Sequence, residues 1–374
     1  MVNEKRMLDE FLEMVKINSP TKGEREISDF VKKRLTKMGL EITEDNVGQK
    51  IGGTSGNIIA FLKGNVPGAP RLLFSAHLDC VEPCKNVKPI IKDGIITSSG
   101  DTILGGDNKA GLAAAMEGIR IILENNIPHG DIQIIFTVAE EGGVSGSKNL
   151  DPSIIKADYG YILDSTGTPG QIITKAPGQN KINVTIHGKT AHAGLAPEEG
   201  INAIIVAGKA LATLKDGRID FETTANVGII NGGIATNIVS DKVTIICEAR
   251  SHNAQKLQKQ TEHMIKTFET IAIANNTQAE IQIEKSYDSY SIDEETHIIS
   301  IVKKAAASIG LTPSTAATGG GSDANFFNKY GLPSVVLANG TAKVHTTSEH
   351  LAEKDLYDTG RLVVAIIKET TARK

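Results

Sequence analysis

The sequence predicts an α/β protein whose mostly parallel sheet is interrupted by an inserted α+β unit. Three observations carry this. Apolar stretches of strand length alternate with helical repeats before Pro177, the pattern of a layered parallel sheet. Beyond Pro177 the order becomes β-α-β-β-α-β, that of a ferredoxin-like unit. After Tyr290 the α/β style resumes. The expected division is 1–176 with 289–374 for the discontinuous domain, and 177–288 for the insertion.

The elements follow in order. Leu8, Phe11, Leu12 and Val15 recur at helical spacing. Thr21 and Glu24 have the spacing of a capping box. Ile27, Phe30, Val31, Leu35 and Met38 then share one helix face, and Gly39 is the expected stop. Residues 57–62 and 71–76 read as strands, the second central. Leu112, Met116, Ile119 and Leu123 mark a helix, and 132–138 and 159–163 read as strands. In the insertion, Ile182, Val184 and Ile186 alternate along a strand, and Ile201, Ile204, Ile205 and Leu211 share a helix face. Strands at 225–230 and 242–250, a helix carrying Leu257, Met264, Phe268 and Ile271, and a strand at 280–284 complete it. The stretch 286–291 reads as the return hinge. A helix over 294–309, a strand at 334–337 and a helix with Leu356, Val363 and Ile367 finish the chain.

Composition narrows the function. The chain has 374 residues, 40% hydrophobic but only 4% aromatic and without Trp, so aliphatic side chains must fill its cores. A net charge of −4 with no long basic run argues against a nucleic-acid partner. The amphipathic N-terminus lacks the apolar core of a signal peptide. No apolar run approaches the ~20 residues that span a bilayer. A cytoplasmic protein without membrane partners is expected. Cys80, Cys84 and Cys247 make no disulfide framework, and the Cys80/Cys84 pair reads as small buried or idle thiols rather than a metal site.

The chemistry lies where apolar stretches end. His77 and Asp79 follow RLLFSA, Asp107 follows LGG, Glu140 and Glu141 follow DIQIIFTVA, Asp164 follows YGYIL, and His345 follows VVLANGTAKV. Strand ends facing one crevice can collect such residues from distant parts of a chain. Two histidines and three carboxylates suit a pair of divalent cations, leaving one acid free as a base. Each motif alone also has a plain reading. His77 and Asp79 could be surface residues beyond a strand, Asp107 an N-cap, and Glu140–Glu141 two solvated charges. Gly319, Gly320, Gly321, Ser322 and Asp323 precede a short helix whose backbone could hold a substrate carboxylate, or they could be a flexible turn. His192 sits among small residues and could be an ordinary surface histidine.

Together the segments SAHLDCVEP, GGDNKAG, TVAEEGGVSGS, YILDS, GKTAHAG, ATNIVSDK, GGGSDANFF and VHTTSEH resemble the M20 family of metallopeptidases, and within it the peptidase T-like, tripeptide aminopeptidase branch. The resemblance implies a zinc-peptidase catalytic domain with an inserted lid that also forms a homodimer. It assigns His77 and Asp164 to one metal, Glu141 and His345 to the other, and Asp107 to both. It makes Glu140 the general base, Asp79 the residue orienting His77, and His192 a group that polarises the scissile carbonyl from the partner subunit. Asn237 and Arg250 match lid positions that contact substrate, Arg250 as a carboxylate clamp. A cis peptide at Asp107–Asn108 is a further family expectation. The implied cofactors are two divalent ions, Zn²⁺ foremost, with Co²⁺ and Mn²⁺ as alternatives. The implied substrate is a short peptide. A dipeptidase or N-acyl-amino-acid amidohydrolase of the same family is the alternative. A non-catalytic peptide-binding protein is the alternative of another class.

Overall fold

The structure, a computed structural model, describes residues 1–371. The chain divides into two compact units. The larger contains Met1–Lys175, Ser291–Thr318 and the chain from Ser322 onward. The smaller contains Ala176–Tyr290 with Gly319–Gly321.

The larger unit is built on a mixed, mostly parallel central sheet. Its spatial order is Glu41–Glu44, Ile58–Leu62, Ile132–Thr137, Leu72–His77, Tyr159–Ser165, Ser334–Ala338 and Gln171–Ala176. Leu72–His77 is buried along its whole length and parallel to both neighbours. Continuous apolar runs of this kind belong to strands covered on both faces. The helix Gly106–Glu124 covers one face through Leu112, Ala113, Met116 and Ile119, all fully buried. The helix Glu353–Thr371 packs beside it, with Leu362, Val363, Ile366 and Ile367 buried.

The expected capping box at Thr21–Glu24 does not form. The helix begins at Arg25, and no side chain caps it. Glu24 instead accepts the Lys22 N–H at 2.7 Å and the Ala139 N–H at 3.0 Å, while the Thr21 hydroxyl donates to Asp79 at 2.8 Å. Contacts with distant loops outcompete the local cap. Gly39 does follow the helix end, with φ 82°. A small antiparallel sheet was not anticipated. It joins Thr341–Ala342, His350–Ala352, Ile95–Ser98 and Pro89–Lys92.

The smaller unit is an antiparallel sheet in the order Gly217–Arg218, Thr223–Gly232, Lys242–Ser251, Gly178–His187 and Ala279–Tyr287. Its long strands follow the ferredoxin-like arrangement expected from the sequence. Lys242–Ser251 alternates buried and half-buried residues through most of its length. Val243, Ile245 and Cys247 point into a core with Ile182, Val184, Met264 and Phe268. The helices Ala203–Thr213 and Ala254–Ala274 close that face.

Candidate metal centre

Parallel register sets the site. His77 lies beside Thr137 at the carboxyl ends of two neighbouring strands, and Asp164 stands near the end of a third. Beyond Thr137 the chain turns through Ala139, at φ 50°, into Glu140 and Glu141. Asp107 enters from the start of Gly106–Glu124, where its backbone is non-helical and the Asp107–Asn108 peptide is cis. Gly105, not Asp107, occupies the cap position. The Asp107 side chain turns instead to two histidines.

Its two oxygens face different partners. Oδ1 lies 3.2 Å from His77 Nε2, and Oδ2 lies 3.4 Å from His345 Nε2. His77 Nε2 is also 3.4 Å from Asp164 Oδ1. His345 Nε2 is 2.9 Å from Glu141 Oε1. All five expected donor residues therefore converge, with one carboxylate between two His–acid pairs. The ligand atoms of His77, Asp107 and Glu141 lie within 4.8 Å of one another.

This donor set fits divalent cations. His77 Nδ1 meets the Asp79 carbonyl oxygen at 2.9 Å. A proton on Nδ1 satisfies that bond and turns the Nε2 lone pair towards the carboxylates. A cation there would take the place of the Nε2 protons that otherwise join His77 and His345 to these carboxylates. Ligands about 2.0–2.1 Å from a tetrahedral zinc stand about 3.3 Å apart, close to the spacings around His77.

Asp79 faces His77 Nδ1 with both its backbone and its side chain. The backbone carbonyl of Asp79 makes the closer contact, and its Oδ1 stands 3.4 Å from His77 Nδ1. The carboxylate accepts the Glu140 N–H at 2.9 Å, the Glu141 N–H at 3.2 Å and the Thr21 hydroxyl. It thereby fixes the turn that splays the two adjacent acids. Glu141 reaches His345, whereas Glu140 stays buried.

The electrostatics separate the acids. Burial, reinforced by the Asp164 charge, holds the Glu140 carboxyl well above the usual carboxylate range. Burial likewise pushes Asp164 up to about 7. Burial also opposes ionisation of Asp107, but hydrogen bonds with His345 and His77 outweigh it and hold Asp107 well below its ordinary value. Hydrogen bonds to Asp107 and Glu141 raise His345 to about 10.

Several residues around the donors escaped the sequence reading. Asn108 donates to Asp164 Oδ1 at 2.9 Å, and Asn339 donates to Asn108 Oδ1 at 3.2 Å. Thr137 donates to Asp323 at 2.5 Å. Glu349 accepts from the Asp107 backbone. Cys80 is a buried free thiol, as expected, and buried Lys109 Nζ lies 3.5 Å from its Sγ. The hydrogen bond from Cys84, together with Lys109, lowers Cys80 to about 6. Only the GGDNKAG segment, with Asn108 and Lys109 beside Asp107, gave a local signal for any of these.

The expected substrate residues fall mostly in the smaller unit. His192 is exposed, and its Nδ1 accepts the Gly194 N–H at 3.1 Å and the Leu195 N–H at 3.2 Å. The ring proton therefore belongs on Nε2, an outward donor. The Asn237 carbonyl accepts the Ala193 N–H at 3.0 Å, so Asn237 adjoins the His192 loop. Arg250 is paired with Glu248 through Nε at 2.9 Å and Nη2 at 3.1 Å, while Nη1 meets the Gly319 carbonyl at 3.4 Å. This joins Arg250 to the glycine run that includes Gly320 and Gly321. In the larger unit, Ser322 donates its N–H to Asn325 and accepts the Ala324 N–H on its hydroxyl. Both groups cap Asp323–Lys329, and the Ser322 N–H is engaged there rather than offered to a carboxylate.

An α/β protein with bridged acid–histidine pairs at its strand ends belongs to the class of metal-dependent hydrolases. Comparison with known proteins makes the assignment definite: residues 73–369 match the model of peptidase family M20/M25/M40, and the chain belongs to that family. It is 46% identical to a Bacillus subtilis protein, YqjE, over 99% of both chains. An aminopeptidase PepT of Bacillus cereus is 46% identical, with TM-score 0.89 and 99% of each chain covered. A tripeptidase of Staphylococcus aureus is 41% identical, with TM-score 0.95 over the whole of both chains. No helix among the described residues is long and apolar enough to cross a membrane.

Proposed function

We propose that this protein is a metallopeptidase that removes residues from the amino terminus of short peptides, tripeptides foremost, using two divalent cations. The carrying observation is Asp107, whose two oxygens face His77 and His345 separately. The kinship with an aminopeptidase and a tripeptidase supports the substrate class.

In this reading His77 and Asp164 hold one cation, Glu141 and His345 the other, and Asp107 both. Zinc suits the donors, and cobalt or manganese could replace it. Bound there, the cations supply Lewis-acid charge that acidifies water and polarises a carbonyl. Glu140 takes the proton of the attacking water on its carboxylate and passes it to the leaving amine nitrogen. Burial of Glu140 keeps bulk water from competing for that proton. His192 donates its Nε2–H to the carbonyl oxygen as negative charge develops there. Arg250, with Asn237 and the Gly320–Gly321 backbone, recognises the peptide's terminal carboxylate. Asp79 holds Glu140 in register.

The test is Glu140→Ala assayed on tripeptides, dipeptides and N-acetylated amino acids. The variant should keep its fold and both cations while kcat falls about 10³-fold or more. Wild-type turnover in the variant would refute the base. Wild-type activity confined to dipeptides or acylated compounds would replace the tripeptide reading.

A further inference from the structure

Glu349 holds no cation in this scheme, yet its carboxylate is buried and committed to a distant loop. It is 1% exposed. Its Oε2 accepts the Gly105 N–H at 2.8 Å, and its Oε1 accepts the Asp107 N–H at 2.9 Å. Gly106, between those donors, permits the approach. A Cβ there would lie 3.2 Å from Glu349 Oε1 and 3.2 Å from Thr341 Cγ2. The accepted N–H groups flank Gly106, ahead of the regular turns of Gly106–Glu124, where the backbone at Asp107 and Asn108 is non-helical. A carboxylate there makes charge-assisted bonds with both.

The other end of Glu349 is tied to His345. The Glu349 N–H donates to the Thr346 carbonyl at 3.0 Å, closing a turn directly after that histidine. His350–Ala352 then pairs with Thr341–Ala342 and with Ile95–Ser98. One side chain therefore joins the segment carrying Asp107 to the segment carrying His345, across 242 positions of sequence. The two halves of the centre are held differently. His77 and Asp164 belong to central strands. His345 sits in a loop at φ 63°, with its side chain half exposed.

We infer that Glu349 is a positioning residue: it sets the gap between Asp107 and His345, and so governs affinity for the cation those residues share with Glu141. This rests on the two-cation reading above. Glu349→Gln keeps the size of the side chain but offers one carbonyl oxygen and one NH₂ to two N–H donors. One clamp bond is lost, and an N–H is turned against an N–H. Glu349→Asp keeps the charge but falls short of both donors.

The experiment is a zinc titration of the intact protein against a competing chelator, for wild type and both variants, with circular dichroism of each metal-free form. Wild type should bind two cations. In both variants the weaker-held cation should lose about 10–100-fold in affinity, the other should stay within about twofold, and the fold should persist. Excess zinc should then restore kcat in Glu349→Gln with KM unchanged, a rescue that a packing defect would not give. Wild-type affinity at both positions in Glu349→Gln overturns the inference, as does equal loss at both. A wild-type protein that takes up fewer than two cations overturns the underlying two-cation reading instead, so the two failures are distinguishable.

Discussion

A single carboxylate, that of Asp79, organises both sides of the proposed base. Three donors converge on it: two backbone N–H groups of the Glu140–Glu141 turn and the Thr21 hydroxyl. Its own backbone carbonyl fixes the tautomer of His77. Asp79→Asn keeps that carbonyl but presents an NH₂ where only acceptors fit. The expected outcome is retention of both cations, a 10–100-fold fall in kcat with little change in KM, and about 1–3 kcal/mol lost from folding stability. Steady-state kinetics with denaturant unfolding checks it. Loss of cations with kcat per bound metal unchanged would place Asp79 among the holders of the metal instead.

At the scale of elements, the readable parts were those with a local signature. The buried strands Leu72–His77 and Ile132–Thr137 declare themselves as apolar runs, and their ends carry His77 and the Glu140–Glu141 pair. The insertion was legible through alternation, as in Lys242–Ser251. What stayed hidden depends on partners far away in sequence. Glu349 meets Gly105 across 244 positions, and Asn339 meets Asn108 across 231. No local pattern marks such contacts. Thr21–Glu24 shows the converse error, a sound local motif overridden by Asp79 and Ala139.

Glu44, near the end of Glu41–Glu44, gives a pH test of how an edge strand is held to its neighbouring helix. Burial pushes its carboxyl up, but hydrogen bonds from Arg25, Lys32 and the Gly56 N–H outweigh this and bring it down to about 2. The folded value lies below the unfolded one. The stabilisation is therefore full above the unfolded pKa near 4.5 and fades as pH falls towards 2. Discounted for solvent screening, Glu44→Gln should cost about 1 kcal/mol at pH 7. The gap from wild type should narrow between pH 5 and pH 3. Urea unfolding across that range checks it, and a gap that does not change with pH would contradict it.

At the scale of the whole molecule, the smaller unit leaves apolar surface open. Thr223–Gly232 is paired along one side by Lys242–Ser251, but on the other, among the described residues, only Thr224 and Ala225 have strand partners, in Gly217–Arg218. Ile229 and Ile230 on that strand are each 49% exposed, and Ile204, Ile205 and Ile234 are exposed as well. Long open edges with apolar side chains invite pairing with another chain. A homodimer of the kind the family resemblance implies would cover this edge. Ile230→Lys should shift the protein towards monomer in sedimentation velocity while leaving the smaller unit folded. A monomeric wild type at micromolar concentration would remove the dimer from the account.

The larger unit contains all five proposed cation donors, gathered from chain segments between His77 and His345. The most direct measurement is the zinc stoichiometry of wild type and of Asp107→Ala by isothermal titration calorimetry. Two tightly bound equivalents per chain in wild type, and loss of tight binding at both positions in the variant, are the predicted result. A single equivalent in wild type, or two retained without Asp107, would contradict the shared-carboxylate centre.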